Sequence, residues 1–132
     1  MPDLGPHISW TEMPEFSEIN LSESYVLGWH ISHDCIVFQV EAVLCEQHPM
    51  YREPESNAWA CFHPGQLVFR GVQSLVGLPD QAECHYFSDA SGEHDYGHID
   101  TLSRAGNEFL LSGDFGNVSF TAKDLYLVLN PS

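Results

Sequence analysis

Apolar and more polar side chains alternate with a period of two from Tyr25 to Ala42, and this is the period of a β-strand. Folding the segment about residues 33–34 brings its apolar residues face to face, because paired strands share the two sides of a sheet. A slip of one residue would turn all of them outward, so the alternation predicts one particular β-hairpin. Outward from the turn, the predicted pairs are Ser32/Cys35, Ile31/Ile36, Trp29/Phe38, Leu27/Val40 and Tyr25/Ala42.

The same alternation recurs in residues 107–130, where turns at 114–115 and 123–124 predict a three-stranded meander. The first turn contains the tripeptide Asp114-Phe115-Gly116, which binds magnesium in protein kinases. The chain has no glycine-rich phosphate loop, no His-Arg-Asp and a single lysine, so we interpret the tripeptide as a turn. The predicted pairs are Gly113/Gly116, Leu111/Val118 and Phe109/Phe120 in the first hairpin, and Ala122/Leu125, Phe120/Leu127 and Val118/Leu129 in the second.

The middle of the chain is less regular. The dipeptide Pro64-Gly65 is typical of a turn and predicts a third hairpin, with Phe62 opposite Leu67. The segments "ECHYFSD" and "YGHIDTLS" predict two more strands around the loop "ASGEHD". Residues 47–57 are interpreted as a long connection and residues 74–80 as a bend, because both are rich in proline, glycine and polar residues.

These segments amount to about eight strands, and no segment has a strong apolar period of 3.6 residues. The sequence therefore predicts a mainly β fold, an antiparallel meander that forms a β-sandwich or a partly open barrel, with at most one or two short helices. A length of 132 residues suits a single domain. Within it, residues 1–20 are expected to form a surface arm with a helical turn near 15–19, and residues 25–130 the β core.

The charge is strongly unbalanced, with 19 acidic residues against four scattered basic ones and a formal net charge of −15. Nucleic-acid binding requires clustered cations, so it is excluded as a function, and anionic membrane surfaces are disfavoured for the same reason. A basic protein would instead be attracted to this chain. The alternative is that the acidity serves solubility alone.

The N-terminal residues have neither the basic start nor the apolar stretch of a secretory signal, and no run approaches the roughly 18 apolar residues of a membrane helix. We therefore expect a cytoplasmic protein. In that compartment Cys35, Cys45, Cys61 and Cys84 should be reduced.

Eight histidines and four cysteines raise the question of a metal site. Zinc needs four nitrogen or sulfur ligands, usually from closely spaced pairs. Cys61 and His63 share a strand face and could chelate, but Cys-x-x-Cys does not occur. We predict no bound metal and no cofactor, and interpret these residues as buried thiols and surface imidazoles.

The segment "GEHDYGHID" is the densest polar cluster of the chain. Gly97 argues against a helix that would align His94 with His98. The segment is therefore expected to be an acidic loop that enters a strand, where its oxygens could bind a hard cation weakly. Its candidate binding residues are Glu93, His94, Asp95, His98 and Asp100.

No catalytic signature is found, whether Gly-x-Ser-x-Gly, a nucleotide-binding glycine loop or His-Glu-x-x-His, so binding is a better hypothesis than catalysis. The third predicted hairpin would place Trp59, His63, Val68 and Arg70 on one face. Tryptophan and arginine are enriched in binding hot spots, so Trp59, His63 and Arg70 are further candidates. Any part of this face that stays uncovered would support a homodimer.

The C-terminal stretch "NEFLLSGDFGNVSFTAKDLYLVL" resembles small bacterial β-rich proteins of unassigned function, among them immunity proteins encoded beside polymorphic toxins. The resemblance implies neutralisation of a partner protein and transfers no functional residue. Two hypotheses follow: a non-enzymatic acidic protein that binds a basic partner, or a small-ligand- or metal-binding β-barrel protein that could be an enzyme.

Overall fold

The computed structural model describes residues 7–54, 56, 58–84, 86–88 and 94–131, with His94 described by its main chain alone. Three single-turn 3-10 helices, Trp10–Glu12, Pro14–Phe16 and Gln81–Glu83, accompany the strands. The strands are β1 (Ile8–Ser9), β2 (Ile19–Ser32), β3 (Cys35–Leu44), β4 (Cys61–Arg70), β5 (Gln73–Val76), β6 (Phe87–Ser88), β7 (His94–Asp95), β8 (Ile99–Ala105), β9 (Glu108–Gly113), β10 (Gly116–Thr121) and β11 (Asp124–Leu129).

The strands form two main antiparallel sheets, and the predicted fold class is confirmed. One sheet has five strands in the order β1-β8-β9-β10-β5, and the other has four in the order β11-β4-β3-β2. Strands β6 and β7 pair separately as a short ribbon. The two main sheets are not joined into a closed barrel. A strand in "YGHIDTLS" is confirmed, since β8 begins there at Ile99, whereas the described residues of "ECHYFSD" contain only the two-residue β6 after a 3-10 helix. The predicted loop "ASGEHD" is wrong at its end, because His94 and Asp95 form β7.

The core lies between the two sheets, where alternate side chains of each strand point inward. On β3 the inward residues are almost fully buried, as the period of two predicts. Phe69 of β4 makes the main aromatic contacts across the gap, with ring centroids 5.3 Å from Phe109 and 4.7 Å from Phe120. Edge-on contacts of this kind stabilise a core beyond the apolar area that they bury.

The first predicted hairpin is confirmed close to its turn and wrong farther out. Trp29 pairs with Phe38 as predicted, but a bulge at Leu27 places Val26, not Leu27, opposite Val40. The other edge of β2 is also paired next to this bulge. There the main chain of Val26 donates to the carbonyl of Gly97 at 2.9 Å and accepts from the N–H of Tyr96 at 2.7 Å.

The C-terminal meander is confirmed only in its first turn. Strands β9 and β10 pair with Leu111 opposite Val118, as predicted. The second hairpin is wrong, because β11 pairs with β4 in the other sheet, with Leu125 opposite Phe69. The chain crosses between the sheets at Ala122, which is 1% exposed.

The third hairpin is also wrong, since Cys61–Arg70 is one continuous strand paired on both sides. Pro64 and Gly65 have other roles than turning the chain. At Gly65 a Cβ atom would lie 2.8 Å from the carbonyl oxygen of Val128, so only glycine allows β11 to approach this closely. Pro64 stands opposite Glu41 near the end of the β11 pairing, where one missing N–H is tolerated.

Residues 8–20 take part in the fold, in contrast to the predicted surface arm. Ile8 and Ser9 pair with β8, and Met13 and Phe16 are buried in the core. The helical turn expected near residues 15–19 is the 3-10 helix Pro14–Phe16, and β2 already begins at Ile19. Similarly, the bend predicted for 74–80 includes most of β5, which pairs with β10.

Candidate functional site

A cavity of about 540 Å³ opens between the start of β4 and the connection that precedes it. This volume lies within the range of about 300–1,000 Å³ that is usual for ligand pockets. Its lining combines apolar, charged and thiol side chains: Met50, Arg52, Glu53, Ala58, Ala60, Cys61, Phe62, His63, Pro64 and Pro131.

The connection of residues 45–60 is held against β4 by hydrogen bonds. Successive turns are formed where the N–H of His48 donates to the carbonyl of Cys45 and the N–H of Tyr51 to that of His48. The N–H of Arg52 then donates to the Sγ atom of Cys61 at 3.4 Å. This bond fixes Arg52 and Glu53 at the rim of the cavity.

His63 forms one wall of the cavity and has a structural bond of its own. Its Nε2 atom donates to the carbonyl oxygen of Asn130 at 2.6 Å, so Nε2 carries the proton. The carbonyl of Pro64 accepts from the main-chain N–H of Asn130 at 2.9 Å, so Pro64 and Asn130 are paired across the two strands. Pro64 has no N–H with which to complete this pair. The imidazole of His63 therefore supplies the donor that Pro64 lacks.

A row of aromatic rings extends from the cavity across the sheet. Trp59 is 60% exposed and stands edge-on to Phe62, with centroids 5.3 Å apart. Phe62 lies 5.7 Å from Tyr25, which in turn lies 4.4 Å from the ring of His98. Trp59 is thus an exposed aromatic side chain that the rings behind it hold in place.

Four exposed carboxylates lie within electrostatic reach of Cys45 or Tyr51 of the connection, and we call them the acidic end: Glu18, Glu23, Glu46 and Glu53. Burial raises the pKa of the Cys45 thiol, and Glu18 and Glu23 raise this pKa further. Partial burial likewise raises the pKa of Tyr51, with added effects from Glu53 and Glu46. Both groups respond because a carboxylate disfavours a second negative charge nearby. The acidic end therefore has a negative potential that reaches the cavity rim.

The structure separates the candidate residues of the third predicted hairpin. His63 lines the cavity and Trp59 packs against Phe62 of the same lining, but Arg70 is at the far end of β4, about 23 Å along the strand from His63. Because β4 is continuous, His63 and Arg70 also point to opposite sides of the sheet. The predicted face that combines Trp59 with Val68 and Arg70 is therefore not formed.

The "GEHDYGHID" candidates do not converge either. Glu93 lies outside the described residues, and His94 contributes a main-chain pairing with Ser88. The Oδ1 atom of Asp95 accepts from the N–H of Gly97 at 2.9 Å, and Asp100 is exposed on β8. Over the described ranges no group of three or more His, Cys, Asp or Glu side chains is arranged to hold a metal ion.

His98 has a less ordinary environment than the other members of that segment. Its Nε2 atom is buried and makes no hydrogen bond in the described part of the chain. The main-chain N–H of His98 donates to Oδ2 of Asp114 at 3.1 Å. Asp114 is the aspartate of the kinase-like tripeptide, so the interpretation of that tripeptide as a turn is confirmed, with its carboxylate bonded to the main chain.

Met50, Arg52 and Glu53 line the cavity but were not candidates from the sequence. The sequence of residues 47–57 indicates only a connection. One signal in the sequence indicates that this segment packs against the core: Met50 and Tyr51 are an apolar pair inside a polar segment. In the structure both side chains lie against the core.

No protein-family model matches this chain, and neither curated proteins nor solved structures include a match. Within the described residues, no helix has the length and apolar character needed to span a membrane. The four cysteines are free thiols. Function is therefore inferred from the chain's own residues.

Proposed function

We propose that this protein is a non-enzymatic acidic binding domain whose partner is a basic protein, and that it neutralises this partner as an immunity protein does. The acidic end and Trp59 form the contact surface. The observation that supports the proposal most is an exposed tryptophan, packed edge-on against Phe62, on a chain that has a net charge of −15 and an acidic end of four exposed carboxylates.

The charges of this protein favour a cationic partner both at long range, before contact, and at short range, in the complex. The net charge of the whole chain attracts a basic protein and increases the rate of encounter. At short range, the four carboxylates of the acidic end outnumber the one guanidinium at the rim, Arg52, and this leaves a local charge of about −3. Arg52 would select the orientation of the partner, because like charges placed opposite each other weaken the wrong complexes.

Trp59 provides what the carboxylates lack, an apolar surface with a defined position. Tryptophan is the aromatic side chain that attracts lysine and arginine most strongly over its face. It is also enriched among the few residues that contribute most of the binding energy of an interface. We therefore expect a basic side chain of the partner to stack on Trp59 with its charge near Glu53.

The test uses a basic ribonuclease as the probe and calorimetry to measure Kd. Affinity should fall at least about tenfold between about 20 mM and 300 mM salt, because screening removes the attraction between exposed charges. Changing Glu18, Glu23, Glu46 and Glu53 to glutamine should weaken binding by a similar factor.

The control changes four other exposed carboxylates by the same total charge: Glu83, Asp100, Glu108 and Asp124 to their amides. This variant should bind within about threefold of the unchanged protein, since only the long-range attraction is reduced. Equal losses in both variants would refute the acidic end as the contact surface. Affinity that does not change with salt would refute the electrostatic basis of the proposal.

A small-ligand site in the same cavity is the second candidate, favoured by its volume and by the combination of Arg52, Cys61 and His63 in its lining. Its ligand would be a small anion, because Arg52 is the cation at the rim. A thermal-shift series with small carboxylates and phosphates tests it. Stabilisation that Arg52→Ala abolishes would support this function, and no stabilisation would contradict it.

A further inference from the structure

Strand β11 is the outermost strand of the four-stranded sheet, and one of its edges has no neighbouring strand. In an antiparallel pair, every second residue bonds its main chain to the partner strand. The N–H of Asn130 donates to the carbonyl of Pro64, so the even-numbered residues of β11 bond to β4. The odd-numbered residues therefore point their N–H and carbonyl groups away from the sheet, and they are Leu125, Leu127 and Leu129.

Part of this edge is accessible, and we call it the open edge. Leu125 is 5% exposed, whereas Leu127 and Leu129 are partly exposed, so the open edge runs from Leu127 to Pro131. The main-chain groups of Leu127 and Leu129 that point away from β4 have no hydrogen-bond partner in the part of the chain that the structure describes. The 3-10 helix Pro14–Phe16 packs near β11 and bonds to neither leucine. A row of unpaired donors and acceptors is complementary to one kind of occupant, which is another extended chain.

The other edges of the two main sheets are protected from such pairing. On β2, the N–H of Trp29 donates to Oε1 of Gln81 at 2.6 Å, so a side chain occupies this edge. Strand β1 has only two residues, and β5 is interrupted by Ser74, whose φ is +57°, and by a shift of register. Short, irregular or covered edges prevent unwanted strand pairing. The open edge has none of these features, since β11 is regular in its pairing with β4, and it has no charged residue.

The side chains beside the open edge indicate the pattern of an added strand. Residues that pair directly across two strands share one side of the sheet. Residues paired with Leu127 and Leu129, which pack against the core, should therefore be apolar. On the outer side, Tyr126 and Val128 are 44% and 51% exposed and offer apolar surface to the stem of a lysine or arginine whose charge stays in water. An extended segment with alternating apolar and basic residues fits both sides.

The charges near the two ends of β11 indicate the direction of the added strand. Asp124 follows Lys123 and stands opposite Arg70, so the charges at this end nearly cancel. At the other end, Pro131 lines the cavity together with Glu53 of the acidic end, whose net charge with the guanidinium at the rim is about −3. An antiparallel strand begins beside the residue at which β11 ends. Basic residues should therefore lie in the first half of the added strand, nearest the acidic end.

From these features we propose that the open edge is a strand-addition site, and that an extended segment of the basic partner pairs with it antiparallel. The segment alternates apolar residues with basic or polar ones, and its basic residues lie in its first half. The added strand extends the four-stranded sheet and continues the contact surface from the cavity rim along β11. The class of partner rests on the proposed function, whereas the site of strand addition rests on β11 alone.

An NMR titration of the full chain tests the proposal with an end-capped peptide of about six residues, in which valine alternates first with lysine and then with threonine. The peptide should shift the amide signals of Leu127 and Leu129 and slow their hydrogen exchange at least about fivefold, because these N–H groups become donors. The amide signals of β8 and β9 should not change. A peptide of the same composition with its lysines in the second half should bind at least about threefold more weakly.

Selective N-methylation of the peptide separates strand pairing from simple charge attraction. The valines pair with Leu127 and Leu129, so their N–H groups point toward β11, whereas those of the lysine and threonine residues point away. The peptide N-methylated at its valines should not bind, although its charge is unchanged. N-methylation of the other residues should leave the affinity within about threefold of that of the unmodified peptide.

Two variants with the same change in charge give a second test. Val128→Lys places a cation beside the open edge and should weaken peptide binding at least about fivefold, because lysine on an edge opposes strand addition and repels a basic segment. The matched control is Val76→Lys, on β5 of the other sheet, which should bind within about twofold of the unchanged protein. Both side chains are exposed, at 51% and 64%, and circular dichroism confirms that both variants are folded.

Leucine amides that do not change at the highest peptide concentration would overturn the proposal, as would equal binding of the two N-methylated peptides. Its failure can be told apart from failure of the proposed function. If a basic ribonuclease binds through the acidic end without changing the amide signals of Leu127 and Leu129, strand addition is refuted and the proposed function stands. If the peptide pairs with β11, but changing the acidic end to glutamine leaves ribonuclease binding unaffected, strand addition stands and the proposed function is refuted.

Discussion

The two ends of β10 are connected to their neighbours by short segments that are stabilised in different ways. At residues 114–115 the chain turns back within its own sheet, and the side chains of this tip are anchored in the fold. At residues 122–123 it crosses to the other sheet, guided by main-chain bonds from Ala122 N–H to Asn107 carbonyl and from Lys123 N–H to Arg70 carbonyl. A tight connection can thus be specified by its side chains or by the main-chain partners that it reaches.

This difference predicts that substitutions at the tip are costly, whereas substitutions of the exposed residues at the crossing, Lys123 and Asp124, are not. The tip is held by Phe115, which is 5% exposed, and by Asp114, whose carboxylate accepts a main-chain N–H. The side chains of Lys123 and Asp124 at the crossing are exposed.

Phe115→Ala should have the largest effect, a loss of about 3–5 kcal/mol in the free energy of unfolding. The ring lies 5.7 Å from that of Trp29 and 5.9 Å from that of Phe38, so its removal leaves a cavity between the hairpin tip and the four-stranded sheet. Urea denaturation measures the loss. Lys123→Ala should change stability by less than about 0.5 kcal/mol, and equal costs at the two sites would contradict the comparison.

Gly97→Ala should have the second largest effect, because Gly97 lies against the tip. Its φ is +89°, and a Cβ atom there would clash with the carboxylate of Asp114. The control is Gly106→Ala, in the turn between β8 and β9, where φ is +60° and nothing lies within 4 Å of the added atom. Gly106→Ala should cost about 1 kcal/mol from backbone strain alone.

The excess cost of Gly97→Ala over Gly106→Ala measures the contact with the tip. We expect an excess of at least about 1 kcal/mol, in the range usual for overpacked sites. The double variant Gly97→Ala with Asp114→Gly should recover most of that excess in thermal unfolding, because the clash is removed and the strain in φ stays. Equal costs for the two glycine variants would show that Asp114 does not pack on Gly97.

The contrast between the two connections also explains how much of this fold the sequence predicts. The alternation in residues 107–130 predicts which side chains are buried, and Leu125, inside at 5% exposure, agrees. It does not predict which strand becomes the neighbour, because the pattern of β11 is the same whether it joins β10 or β4. Period two determines the face of a strand, whereas its partner depends on contacts far apart in the sequence.

At the candidate site the limit is similar. Trp59 and His63 are candidates from the sequence alone, since their chemistry is visible there. Arg52 and Glu53 could not, because their position depends on a bond from the Arg52 N–H to the Cys61 sulfur atom. The turn predicted at Pro64-Gly65 is wrong for a related reason, because pairing with β3 and β11 outweighs the local turn preference of these two residues.

The smallest effect is expected for Asp114→Ala, a loss of about 1 kcal/mol, since its carboxylate accepts one N–H at an exposed site. Asp114→Asn keeps an acceptor oxygen and should recover more than half of the loss. At the crossing, Asp124→Ala removes a carboxylate opposite Arg70 in the pairing of β11 with β4 and should cost less than about 0.5 kcal/mol. Hydrogen exchange distinguishes the mechanism from a general charge effect: Asp114→Ala should speed exchange of the His98 amide, and Asp124→Ala should not. If the His98 amide exchanges at the same rate in all three variants, Asp114 does not anchor the tip, and burial of Phe115 alone specifies this connection.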